Sequence, residues 1–279
     1  MSYTDFRDAV WKHLREYKEN NLKIPDNVVI REKEYYHILP DNLKEKNYLE
    51  GVDIPPKGMK LHKYSHHLNS SQTMCYNFFR PYIESIDKNG KGNPSKNLYC
   101  LLNKIGIKIE FDKNSECRFE YIQDGWGKNR TNFDFYISKG DTEIFFEIKY
   151  TEPNCGKYSG KTDLESLYND CYREKIDSCK ALKKRQIATK DLNDYYQLIC
   201  NVIRVQNRDK YVVLIIDKNN PSTCKQFHQF ISSFICEEWK SNILLVTWQD
   251  IVSKAKEIDP NNKTIDEFIE KYLNYKYNQ

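Results

Sequence analysis

Near the middle of the chain, residues 131–137 and 143–149 form two apolar, β-prone runs, and each carries charge where a buried strand ordinarily carries none. Phe133, Phe135, Tyr136 and Ile137 surround Asp134 in the first run. In the second, Ile144, Phe145, Phe146 and Ile148 surround Glu147, and the run ends on Lys149. The polar segment 138–142 between them reads as a hairpin turn. Apolar groups on both faces of the second run mark a buried central strand, and charge buried there needs a partner or a purpose. Side chains alternate along a strand, so Glu147 and Lys149 share one face and Asp134 meets them from the paired strand. The plain alternative is a solvated hairpin with the three groups as cross-strand ion pairs.

Two carboxylates and an ammonium so placed suit metal-dependent cleavage of a phosphodiester. The substrate is an anion, and its transition state gathers still more negative charge. Mg²⁺ prefers hard oxygen ligands and keeps several waters, so Asp134, Glu147, the backbone carbonyl of Ile148, the substrate phosphate and waters make a suitable shell, with Mn²⁺ able to substitute. Lys149 is then expected to orient or help deprotonate the attacking water.

The pattern resembles the PD-(D/E)XK nuclease superfamily, the restriction-endonuclease-like fold, with Asp134 as the first acid and Glu147-Ile148-Lys149 as the (D/E)-X-K element. Phe133 stands where the family name has proline. The likeness covers roughly residues 94–217. Acid-X-Lys also occurs at Glu16–Lys18 and Glu238–Lys240, but those copies sit in helix-like stretches, and only the copy at Glu147 follows a second acid-bearing β-run at hairpin distance.

Further candidates flank the hairpin. Residues 117–122 read as a third strand that brings Glu120 near it. Many superfamily members draw an additional acid from an upstream element, so Glu120 is the first candidate and Glu84, read on the helix that starts near Ser71, the second. Ser70 or Ser71 is a good N-cap for a helix with Met74, Phe78, Phe79 and Tyr82 on its apolar stripe. The Ser-Ser-Gln start resembles one found in other members of the superfamily. On that helix Gln72, Asn77 and Arg80 either face the site or a DNA phosphate, or merely finish its surface. Residues 191–204 show a helical period, with Gln197 similar to the glutamine that some exonuclease-like branches place beside the lysine. A loop is expected at 152–160, beside the site. Residues 164–185 read as one long helix whose basic end, with Lys183, Lys184 and Arg185, either grips a DNA backbone or caps the helix dipole. His62 and His66 are four apart, but a pair without a third ligand is a weak zinc signal.

The expected fold is α/β: a restriction-endonuclease-like core with a central mixed sheet flanked by helices, plus a helical N-terminal extension. With 279 residues, 39% of them hydrophobic, the chain can bury a substantial core. The expected division is an extension at 1–68 and a catalytic domain at 69–279. Its elements include a first helix at 4–20, strands at 211–217 and 242–248, and helices near 224–239 and 264–275. A net charge of +4 supports a nucleic-acid partner only slightly. Nine cysteines without a Cys-X-X-Cys, and no signal peptide or hydrophobic span, point to a reduced cytoplasmic setting away from membranes. That spacing speaks against an iron–sulfur cluster, and no glycine-rich phosphate loop is visible.

The resemblance implies a Mg²⁺-dependent endodeoxyribonuclease that cuts double-stranded DNA, of restriction or phage-defence type, leaving 5′-phosphate ends. Many such enzymes act as twofold dimers. Asp134 and Glu147 hold the metal, Lys149 handles the water, and Glu120 and Gln197 assist. The alternatives are a repair or recombination nuclease acting on ends or branched DNA, and a nucleic-acid-binding module without turnover.

Overall fold

The computed structural model describes residues 2–25, 27–30, 32–123, 132–183 and 187–276. A short antiparallel ribbon, β1 (Val28–Ile30) with β2 (Lys33–Tyr35), precedes a seven-stranded sheet whose spatial order follows the chain. The sheet runs β3 (Ile83–Ile86), β4 (Lys91–Pro94), β5 (Glu116–Ile122), β6 (Asn132–Lys139), β7 (Thr142–Ile148), β8 (Lys210–Ile216) and β9 (Ile243–Thr247). From β3 to β7 neighbours are antiparallel, while β7, β8 and β9 are parallel. This is a mixed sheet flanked by helices with an N-terminal helix, the architecture the sequence led us to expect. The hairpin forms over Asn132–Ile148, and β7 lies between β6 and β8 as a central strand.

Parallel pairing needs long crossovers, and these carry helices onto one face of the sheet. Leu167, Tyr172, Ile176, Leu198, Val202, Phe227 and Phe230 pack there against Phe145, Val212 and Leu214. The other face carries helices Ser71–Phe79, Lys96–Lys104, Trp248–Ile258 and Lys263–Tyr272, together with the first helix, Tyr3–Asn20, whose Phe6, Val10 and Leu14 join the same core. Phe79 stacks on Phe135 with ring centroids 4.4 Å apart and reaches Phe146 at 5.3 Å, which fixes helix Ser71–Phe79 over the hairpin. Burying a phenylalanine completely stabilises by about 1.5–3 kcal/mol, so this contact anchors whatever the helix start carries. Ser70 is the N-cap, accepting from Thr73 N at 3.3 Å.

Several expected elements differ. Residues 83–94 form the edge ribbon β3–β4, so Glu84 lies exposed in β3 and not on a helix. The helix expected over 164–185 is interrupted: Leu164–Leu167 leads into a wider π turn, Tyr168–Tyr172, and then Arg173–Ser178. The wider turn keeps Tyr168, Tyr172 and Ile176, each four apart, on the core side. Residues 191–204 split into Thr189–Asp194 and Tyr196–Val202, broken where the Tyr195 ring packs on Phe230 and Phe234. Helix Trp248–Ile258 was not foreseen. Thr247 caps it, and the buried Trp248, read from sequence as the end of a strand, opens it.

Candidate active site

The strands turn over at the acids. Across β5 and β6, Phe119 pairs with Phe135 and Tyr121 with Phe133. Phe119 and Phe135 lie in one core, whereas Phe133 and Tyr121 pack on the opposite one. Residues two apart on a regular strand share a face, so both strands change face between these pairs, at Glu120 and Asp134. Glu120 accommodates this with φ +52°, a left-handed conformation that costs a non-glycine residue about 1–2 kcal/mol. Such strain, held where the β5–β6 register skips Glu120 and Asp134, points to a functional site.

Regular β6–β7 pairing ends at Phe135↔Phe146. Just beyond, the Asp134 carboxylate replaces a ladder partner, its Oδ2 accepting the Ile148 N–H at 2.7 Å. Glu147 and Lys149 project toward helix Tyr196–Val202. Lys149 Nζ donates to Glu147 Oε1 at 2.6 Å and to Gln197 Oε1 at 2.7 Å, and Asn201 Nδ2 reaches Glu147 Oε2 at 3.4 Å. Only 4% of Glu147 and 7% of Lys149 is exposed, so this is a buried ion pair and not a solvated cross-strand contact. Lys149 is anchored on both sides, its N–H bonded to Ile215 O at 2.8 Å and its carbonyl accepting from Trp248 Nε1 at 3.4 Å.

The loop after β7 closes onto this pair. Gly156 takes φ +103°, its carbonyl accepts from Gln197 N at 3.1 Å, and a Cβ added there would fall 1.8 Å from Gln197 Oε1. Only glycine lets the backbone come so near the glutamine that holds Lys149. Asn154 Oδ1 accepts from the N–H groups of Gly156 and Lys157, and Cys155 N donates to Gln226 Oε1 at 2.6 Å, so the loop is tied at several points.

Glu120, Asp134, Glu147, Ile148, Lys149 and Gln197 all line one cleft of about 520 Å³. Four carboxyl groups face it, those of Glu120, Asp134, Glu147 and Glu152, against the single ammonium of Lys149 among the described lining residues. Burial and mutual repulsion raise Asp134 well above the ordinary carboxylate range. Burial likewise pushes half-buried Glu120 up to about 7, against hydrogen bonds from Gln72 and Asn132 that oppose the shift. Burial alone would depress Lys149, but the charges of Glu147, Glu152 and Asp134 outweigh it and hold the ammonium protonated.

A divalent cation fits this donor set. The donors are hard carboxylate oxygens in excess over positive charge, and the buried Asn201 Oδ1 beside Glu147 has no hydrogen-bond partner. Among the described residues no three His, Cys, Asp or Glu side chains form a closed metal cage, and this holds for His62, His66 and His67 as well. An open set of two carboxylates and a carbonyl is how Mg²⁺, unlike structural zinc, is ordinarily held.

The remaining candidates divide. Gln72 lines the cleft, accepting from His62 N at 2.7 Å and donating to Lys60 O at 3.3 Å. Asn77 does not reach it: buried, it donates to Asn47 O and Tyr272 Oη and accepts from Leu49 N. Arg80 is likewise turned away, donating to Ile83 O and pairing with Asp53. Lys183 Nζ bonds to Ser232 O outside the cleft, and Lys184 and Arg185 lie outside the described residues, as does Thr131 at the start of the first run. Sequence reasoning missed Trp11 and Tyr64, which with His62 and His67 form another part of the cleft wall. Tyr64 lies in a stretch without a usable period, and the helical period of the first helix does not single out Trp11.

Among the described residues no helix is long and apolar enough to cross a membrane. Residues 11–273 match the family REase-ARP, whose description is restriction endonuclease associating with ARP. No curated protein and no solved structure matches the chain.

Proposed function

The chain belongs to that family of restriction endonucleases associating with ARP, and on this premise we propose that it is a Mg²⁺-dependent endodeoxyribonuclease of the PD-(D/E)XK kind acting on double-stranded DNA in restriction or phage defence. The observation that carries this reading is the convergence of Asp134, Glu147 and Lys149 at the end of β7 in one acidic cleft. A phosphodiester cannot approach four carboxyl groups and one ammonium without added positive charge. Asp134 and Glu147, with the Ile148 carbonyl, are the groups that would hold a divalent cation. When bound, such a cation supplies positive charge against the charge that builds on the phosphoryl group.

The chain's own residues do the rest. Lys149, kept protonated and braced by Glu147 and Gln197, orients the attacking water and offsets charge on the transferring phosphoryl oxygens. Glu120, poised near neutrality, is the acid best matched to taking up the water's proton. In-line attack on phosphorus would leave a 5′-phosphate and a 3′-hydroxyl. By the same family reading, the chain works alongside ARP.

Supercoiled plasmid incubated with Mg²⁺, with Mn²⁺ and with chelator tests this. Metal-dependent nicking or linearisation by the native protein, lost in Lys149→Ala and Glu147→Gln, is expected. Equal cutting by native protein and variants, or no cutting with either metal, would overturn the reading.

A further inference from the structure

Besides the carboxylates the cleft has lining of different chemistry. Trp11, from the first helix, and His62, Tyr64 and His67, from the segment before helix Ser71–Phe79, line it. Tyr64 is 46% exposed, with the His62 and His67 rings each 4.9 Å away and tilted against it and the Lys63 ammonium 4.6 Å from its centroid. Trp11 stacks on His37 at 4.5 Å and carries the Arg7 guanidinium 4.8 Å from its ring centroid. Burial pushes His67 down to about 4, so this ring is neutral at physiological pH.

An exposed tyrosine on a floppy loop would mean little, but this segment is tied down along its length. Asn47 Nδ2 donates to Ser65 O at 2.6 Å and His67 O at 2.9 Å. Thr73 Oγ1 donates to Ser65 O at 2.9 Å, and Leu39 N to His66 O at 3.1 Å. Gln72 ties His62 and Lys60 to the helix start beside Glu120. The rings are therefore held in place before any ligand arrives, and a ligand stacking on them loses less entropy than one that must order a loop.

We propose that this wall is a stacking platform for one unpaired nucleobase of the strand being cut, so that the cleft accepts a nucleotide lifted out of the helical stack beside the scissile phosphate. The proposal rests on the nuclease reading for the position of that phosphate. Two observations and one general property of nucleobases favour a base as the occupant. The rings and the carboxylates face the same 520 Å³ cleft, a volume within the range of small-molecule sites, so a phosphate at Asp134 and Glu147 leaves room for its attached base. The aromatic wall contributes no carboxylate, so it repels neither a base nor its sugar. Base-on-ring stacking is sequence-tolerant and strong enough to offset part of the cost of unstacking.

The test is equilibrium binding with Ca²⁺ in place of Mg²⁺, which supplies the positive charge a phosphate needs beside these carboxylates without the strict octahedral geometry of Mg²⁺, of labelled single-stranded (dT)₁₂ and of a strand with the same phosphates but abasic tetrahydrofuran residues. Native protein is expected to bind the base-bearing strand roughly 5- to 150-fold more tightly than the abasic one. Tyr64→Leu, at an exposed position, should remove most of that preference and Tyr64→Phe should keep it. Equal affinity for the two strands overturns the proposal, as does equal loss in the Leu and Phe variants or no loss in either. So does a fully paired duplex bound with the same dependence on Tyr64. If base-dependent binding holds but plasmid is never cut, the platform stands and the nuclease reading falls. Cutting without base-dependent binding means the reverse.

Discussion

Replacing Gly156 by alanine should damage the site through Gln197, a residue 41 positions away in sequence. An alanine Cβ would lie 1.8 Å from Gln197 Oε1 and 2.3 Å from its Cδ, so the glutamine side chain must leave. It then loses its 2.7 Å bond to Lys149 Nζ. A hydrogen bond to a charged group contributes about 1.5–3 kcal/mol. Holding alanine at φ +103° adds about 1–3 kcal/mol of backbone strain. Gly156→Ala alone should therefore cost about 2.5–6 kcal/mol in urea unfolding. In a Gln197→Ala background the clash and the lost bond are already absent, and the same change should cost only the strain, about 1–3 kcal/mol. The expected coupling is about 1.5–3 kcal/mol, well above the ~0.5 kcal/mol scatter of independent sites. Metal-dependent cleavage should fall in parallel, by roughly 10- to 100-fold, because Lys149 loses one of its two braces. Costs that simply add would show that Gly156 does not act through Gln197.

Breaking the buried pair from one side should be costly, so Glu147→Ala is expected to lose about 3–5 kcal/mol of stability while Glu147→Gln with Lys149→Met recovers most of it; chemical denaturation measures both. Mg²⁺ at about 100 times its Kd should stabilise the native protein by about 2.7 kcal/mol, a Tm rise of roughly 5–10 °C for a chain of this size, and scanning calorimetry should show none in Asp134→Asn with Glu147→Gln. Outside the cleft lining, burial pushes Lys271 down to about 7, although its Nζ donates to Asn47 Oδ1 at 2.9 Å. Between that value and the ordinary lysine range the unfolded chain binds the extra proton, so this group's penalty is full below pH 7 and fades as pH rises. Native stability should gain about 2–3 kcal/mol from pH 7 to pH 9 relative to Lys271→Met, and parallel pH profiles would refute the assignment.

The hairpin and the meeting of its charged groups were legible because charge in an apolar β-run is costly, and Asp134, Glu147 and Lys149 stand out against Phe133, Phe145 and Phe146. The edge ribbon β3–β4 was not legible: its second strand, Lys91–Pro94, carries lysine, glycine and proline and owes its conformation to pairing with β3 and β5. Helix Ser71–Phe79 was expected, but not which way its polar side chains turn. Gln72 faces the cleft while Asn77, five residues on, is clamped between Asn47 and Tyr272. The face switch at Glu120 leaves no trace in an alternation pattern, because it depends on a left-handed residue that any sequence reader would expect to be glycine. Tyr64 reaches the site from an irregular segment, where period carries no information, and Trp11 from the first helix, whose period does not say which distant residues it meets.

Local oxidative cleavage by Fe²⁺ in place of Mg²⁺ reports where a divalent cation sits on the chain. With peroxide and ascorbate, radicals formed at the ion should cut the backbone around Glu120, Asp134 and Ile148. Excess Mg²⁺ should suppress those cuts, and Glu147→Gln should abolish them. Cuts clustered elsewhere, or cuts at these strands that Mg²⁺ does not suppress, would contradict a metal centre held by Asp134 and Glu147.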